Sequence, residues 1–302
     1  LGAPMAFAAG GALAAATTQA GGLGFIGGGY GDAAWLDEQF EIAGDTDVGC
    51  GFITWSLANN PALLEQVLDK SPRALFLSFG NPAPFAPKIH AANVPLICQI
   101  QPLRDSQSAI DHGAQDLGAQ GAEAGGHGET RTTFTLVPEV ADYISQTAPE
   151  TILLAAGGII DGRGLAAALM LGADGALIGS RLLAATECLV HPNMLQAVFN
   201  ATGDDTLRTT IIDIVRNRNW PDRYTISLIK NAFTNRWHDI PDTLRTSANV
   251  HAEWNDALAA GDPDIANIFA GQGAGLIHKS QSTADIIAEL SADAAHHLNQ
   301  HR

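Results

Sequence analysis

The stretch from Gly121 to Glu129, GAEAGGHGE, sets a single histidine, His127, among four glycines and beside two carboxylates, Glu123 and Glu129. Imidazole titrates near neutral pH, so a histidine held against a ligand can act as a base or, when protonated, as a counter-charge to an anion. Glycines let the backbone turn tightly and approach a ligand with no Cβ in the way. Taken alone, the stretch also fits a flexible surface loop, with Glu123 and Glu129 as solvated loop charges. Its meaning depends on the elements that position it.

From Leu1 to about Thr186, short apolar runs alternate with alanine-rich or amphipathic stretches of helix length. The runs predict strands at Leu1 to Ala3, Leu23 to Gly27, Val48 to Thr54, Ala74 to Phe79, Pro95 to Ile100, Leu117 to Gln120, Ile152 to Ala155 and Ala176 to Ile178. Helices are expected between them, one starting at Pro138. Apolar strands separated by helices specify a parallel sheet covered on its outer face, and eight such units specify a (β/α)8 TIM barrel. In such barrels chemistry sits on the loops that follow the strands. Those loops hold Pro4, Met5 and Ala6, the glycines Gly27 to Gly29, the segment Ser78 to Asn81, the His127 loop, Gly157 and Gly158, and Gly179 and Ser180. The last two pairs each precede an expected helix, where free backbone N–H groups favour an anion. A phosphate-bearing cofactor follows.

Gly22, Gly24 and Gly27 also fit the dinucleotide pattern G-x-G-x-x-G, but they follow a helical stretch and run into a strand, the reverse of the required order. No GxSxG, P-loop, HExxH or EF-hand spacing is present. With 32 acidic against 16 basic residues and a net charge of -16, a nucleic-acid or anionic-membrane partner is not expected. Cys50, Cys98 and Cys188 show no ligand spacing, which points to reduced thiols and a cytoplasmic protein. The chain opens at Leu1 inside an expected strand, which suggests a truncated or processed start.

The alternation stops after Glu187. Residues 191–275 are more polar yet hold Trp220, Tyr224, Trp237 and Trp254, expected to anchor a small core of a helical insertion that caps the barrel, with helices near Met194 to Asn200, Thr225 to Thr234 and Val250 to Ala260. The barrel then comprises residues 1–190 and 276–302. Asp293 and His297 share a face of the final helix, but a chain end offers no cage for a metal, and none is expected.

Four segments together resemble the nitronate monooxygenases, formerly 2-nitropropane dioxygenases, which are FMN-dependent TIM barrels. They are APMA at Ala3 to Ala6, AGGLGFIGGGY at Ala20 to Tyr30, AQGAEAGGHG at Ala119 to Gly128, and the long run from Ala155 to Glu187; in the insertion only AGQ at Ala270 to Gln272 is suggestive. The resemblance implies that Pro4, Met5, Ala6 and Gln120 lie against the flavin ring and that Gly157, Gly158, Gly179 and Ser180 hold the FMN phosphate. It makes His127 the base toward a nitroalkane, or the residue that binds the nitronate, with Gly125 and Gly126 of its loop also at the cofactor. The implied reaction uses O2, proceeds through a flavin semiquinone, and yields a carbonyl compound and nitrite. A different enzyme on the same scaffold, an NAD(P)H:quinone or enoyl-(acyl carrier protein) reductase, would carry the same phosphate motifs. A non-catalytic flavin-binding protein is the remaining alternative.

Overall fold

The computed structural model describes residues 1–300. Its strands are β1 (Phe25–Gly29), β2 (Gly49–Ile53), β3 (Leu75–Ser78), β4 (Leu96–Ile100), β5 (Asp116–Gln120), β6 (Gly126–Gly128), β7 (Ile152–Ala156), β8 (Gly175–Leu177), β9 (Thr206–Thr209) and β10 (Thr225–Ile229). Strands β1 to β5, then β7 and β8, form a parallel sheet in that order, while β6, β10 and β9 form a separate antiparallel sheet. The parallel sheet closes through Leu1 to Ala3. On one side Ala3 N–H donates to Ile178 O at 2.9 Å and Ile178 N–H to Leu1 O at 2.8 Å; on the other, Gly2 N–H donates to Leu23 O at 3.0 Å. The expected (β/α)8 barrel is present, with Leu1 to Ala3 as its shortest stave.

Side chains alternate across each strand, as a period of two requires. Phe25, Phe76, Ile97, Leu154 and Leu177 meet in one buried cluster inside the barrel. Their neighbours Ile26, Leu75, Leu77, Leu96, Cys98 and Leu153 pack with the surrounding helices in another. The G-x-G-x-x-G glycines serve this packing. They follow the helix Gly11–Gln19 and enter β1, and a Cβ on Gly27 would lie 2.3 Å from Met5 O. Only glycine lets β1 approach the Pro4 to Ala6 loop so closely.

Two glutamates from loops start two helices. The Glu123 carboxylate accepts from Thr133 N–H at 2.8 Å and from its hydroxyl at 2.9 Å; Glu187 accepts likewise from Thr283 at 3.1 and 2.9 Å. Because Glu123 satisfies the first N–H of the helix, that of Thr133, the helix begins there rather than at the expected Pro138, which is carried within Thr133–Thr147. Glu123 is therefore no solvated loop charge. Glu129 is not one either: it pairs with Arg223, which also holds Asp105 at 2.7 Å.

Residues 191–275 contain the helices Pro192–Asn200 and Val250–Ala260, near two of the expected positions, further helices at Ile211–Val215 and Ala232–Trp237, and the antiparallel pair β9 and β10. The expected helix over Thr225 to Thr234 is corrected. TISLI alternates, placing Ile226 and Leu228 in the insertion's own core beside Ile211, Ile212, Phe233, Trp237 and Trp254, and a helix follows only from Ala232. Trp220 and Tyr224 leave that core for the barrel mouth.

Gly27→Ala forces the Pro4 to Ala6 loop and β1 apart. It should lower stability by about 3 kcal/mol, read as a fall in the urea midpoint at unchanged slope; an unchanged midpoint would show that the two segments do not need this contact.

Candidate active site

At the carboxyl ends of the barrel strands lies a cavity of about 700 Å³, roofed by the insertion. Pro4, Met5, Ala6, Gln120, Gly125, Gly126, His127, Gly157, Gly158, Gly179 and Ser180 all line it. Residues from four separate loops, expected from sequence to share a site, are thus brought together.

Gln120 ends β5 with its side chain fixed by two others. Its Oε1 accepts from Gln99 Nε2 at 2.8 Å and Gln101 Nε2 at 2.7 Å, so its own amide N–H₂ is the group left to donate into the cavity. Across the cavity, Gly157 and Gly158 have φ of 105° and 76°, a left-handed turn that favours glycine. Among the described residues, the N–H groups of Gly157, Gly158 and Gly179 donate to no acceptor in the protein. The helix Gly162–Met170 contributes less than expected, because the Asp161 side chain already accepts from Arg163 and Gly164 N–H. The free N–H groups thus belong to the glycine turn and to the approach to the 3-10 turn that starts at Ser180, whose Oγ accepts from Gly271 N–H at 3.0 Å.

His127 sits at the centre of β6, paired with Ile226 of β10. Arg208 of β9 straps this junction, donating to Gly128 O at 3.1 Å and Thr225 O at 2.8 Å. The imidazole is 7% exposed. Its Nε2 lies 3.0 Å from each carboxylate oxygen of Asp213, and its face stacks on Trp220 with ring centroids 3.4 Å apart and planes 8° apart. Phe79 meets Trp220 and Tyr224 edge-on, and Trp220 Nε1 donates to the Tyr30 hydroxyl at 3.0 Å. Phe7 and Phe79 hold left-handed backbones, φ 64° and 61°, where the barrel loops turn toward the cavity. Burial holds the His127 pKa below its ordinary value; Asp213 pulls it upward, and Arg216 and Arg208 push it down.

Asp213, Trp220 and Arg208 were missed as site residues by sequence reasoning, whereas Phe79 lies in the Ser78 to Asn81 loop expected at this end. Only Asp213 carries a local signal: a carboxylate inside the apolar run IIDIV, on the short helix Ile211–Val215, must find a buried partner. His127 is neutral in the folded protein at pH values where the unfolded chain is already protonated. The unfolded state then binds more protons, so this residue's contribution to stability is present above about pH 6.5, the ordinary histidine value, and is lost as pH falls toward the lower folded pKa. Urea midpoints taken from pH 7.5 to 5 should show a smaller acid decline for His127→Gln than for the unsubstituted chain; parallel curves would contradict the assignment.

The sequence matches the family model for nitronate monooxygenase over residues 56–293. It is similar to a nitronate monooxygenase of Neurospora crassa, 29% identical with 99% of this chain and 89% of the relative covered. Among solved structures it is similar to FabK from Thermotoga maritima, with a TM-score of 0.86 at 26% identity, covering 99% of this chain and 93% of the other. It shares its fold with nitroalkane oxidase from Streptomyces ansochromogenes, with a TM-score of 0.83 at 22% identity over 99% and 96% of the two chains. No helix among the described residues is long and apolar enough to cross a membrane. With its barrel, its histidine strand and the family match over most of its length, the chain belongs to the nitronate monooxygenases, a family of flavin-dependent enzymes.

Proposed function

We propose that this protein binds FMN in the cavity and oxidises alkyl nitronates, and nitroalkanes after deprotonation, with O2 to a carbonyl compound and nitrite. The observation that carries this reading is a buried imidazole set in the same cavity as a glycine cradle with free N–H donors. The residues fit the cofactor. Gly157, Gly158, Gly179 and Ser180 would hold its phosphate, while the Gln120 amide and the backbone of Pro4 to Ala6 would meet its ring system. When bound, FMN supplies the redox chemistry, taking electrons from the substrate and passing them to oxygen.

The protein's own residues bind, orient and move a proton. Neutral His127 accepts the proton from the carbon next to the nitro group, a transfer that suits a base of near-neutral pKa. The imidazolium so formed stays beside the nitronate as its counter-charge, and the Gly125 N–H, which has no acceptor among the described residues, is available to an oxygen of the same group. Trp220, Phe79 and Tyr224 wall the histidine off from water, which strengthens both interactions. Cys50, Cys98 and Cys188 are free thiols whose pKa burial pushes up to about 12, and we assign the protein to the reducing cytoplasm on that basis.

The test is oxygen uptake and nitrite release by the FMN-loaded protein. His127→Asn should lower turnover of neutral nitroalkanes by about 100-fold or more, with a much smaller loss on preformed nitronates. Equal losses on both would remove the base assignment. Rapid bleaching of the flavin by NADH, with no turnover of nitronate, would replace this reading with a reductase.

A further inference from the structure

The protein engages only one of the two nitrogens of His127. Nε2 is met by both carboxylate oxygens of Asp213, whereas Nδ1 makes no hydrogen bond within the protein among the described residues. Asp213 is itself 5% exposed, and among the described residues its side chain has no other hydrogen-bond or salt-bridge partner. An ionised carboxylate can only accept, and a buried one left without a donor is costly. Nε2 must therefore carry the hydrogen. The stack on Trp220, with ring centroids 3.4 Å apart, fixes the plane in which the ring lies beside Asp213. Both partners come from the insertion, one from the helix Ile211–Val215 and one from the segment before β10. The other charged or titratable groups around the pair are Arg208 of β9, Arg216 just beyond the helix, and Tyr30 after β1.

We infer that Asp213 is a positioning residue that holds His127 as its Nε2–H tautomer, so that Nδ1 is the nitrogen that takes the substrate proton. This rests on the nitroalkane reading above. In the step, the C–H bond next to the nitro group breaks, its electron pair moves into the nitro group to give the nitronate, and the proton ends on Nδ1. The Asp213 carboxylate faces the new positive charge on the ring, as the carboxylate of other His–Asp pairs does.

The experiment uses the FMN-loaded protein labelled with 15N-histidine, with the His127 signals assigned by their loss in His127→Asn. Above the histidine titration, the unsubstituted protein should show a protonated Nε2 and a bare Nδ1. Asp213→Ala should abolish that fixed tautomer, lower kcat on a neutral nitroalkane by about 100-fold and leave turnover of the preformed nitronate within about tenfold. Asp213→Asn, which keeps the volume but not the charge, should move the acid limb of the nitroalkane pH profile downward, and Asp213→Glu should restore part of the loss. A protonated Nδ1 in the unsubstituted protein, or equal losses on both substrates in the FMN-retaining alanine variant, would overturn the assignment. Failure of the base reading itself is distinct: there His127→Asn would spare nitroalkane turnover. If His127→Asn removes that turnover while the Asp213 variants keep it, only the positioning role falls.

Discussion

The three-residue strand β6 has no place in the barrel sheet, and its pairing with β10 governs the site. Antiparallel register sets His127 opposite Ile226, and alternation along so short a ladder decides which way the imidazole points. Arg208 ties the two strands together through carbonyls on both, and its burial makes each of those hydrogen bonds harder to replace with water. Without this junction the histidine loop would be the flexible glycine stretch that its composition suggests. With it, the insertion supplies the strand, the carboxylate and the indole that hold one side chain of the barrel.

Burial sets the balance of charge in the site. Desolvation favours neutral imidazole, and a carboxylate 3.0 Å away opposes it. Desolvation dominates, so the ring remains a proton acceptor near neutral pH, while Asp213 keeps it basic enough to be useful. The net charge of -16 shows how local this balance is: the cavity rim carries Arg216 and Arg218 although the chain as a whole is strongly acidic. Two of the six non-glycine left-handed backbones among the described residues lie at the cavity. Phe7 and Phe79 adopt left-handed backbones on loops that deliver aromatic rings to the cavity, and the packed rings around them hold those conformations in place.

The barrel was legible because its signals are local. Buried strands such as LFLS and LICQI read as apolar runs, and the glycines that bring the cofactor loops close are visible one by one. His127 and the residues expected around the cofactor line a common cavity for the same reason: barrel topology sends every loop after a strand to one end. The insertion was less legible. TISLI was read as part of a helix because its alternation covers only five residues, and β6 was invisible because GHG has no apolar pattern at all. Trp220 and Trp237 look alike in sequence, yet one stacks on the histidine and the other fills the insertion's core. The two acids beside His127 turned out to fasten a helix and bridge to the insertion, while the acid that touches the ring lies 86 residues away in a stretch chosen for its isoleucines.

That separation has an entropic meaning. The barrel closes between Leu1 and Ala176, 175 residues apart, and the contact between His127 and Asp213 closes a second loop of 86 residues, each at its own cost in chain entropy. The histidine strand takes its partner from the insertion and not from the barrel sheet, so the site depends on a pairing that the parallel strands do not share. Loosening β6 from β10 would remove the competent site while every pairing between the parallel strands remained in place.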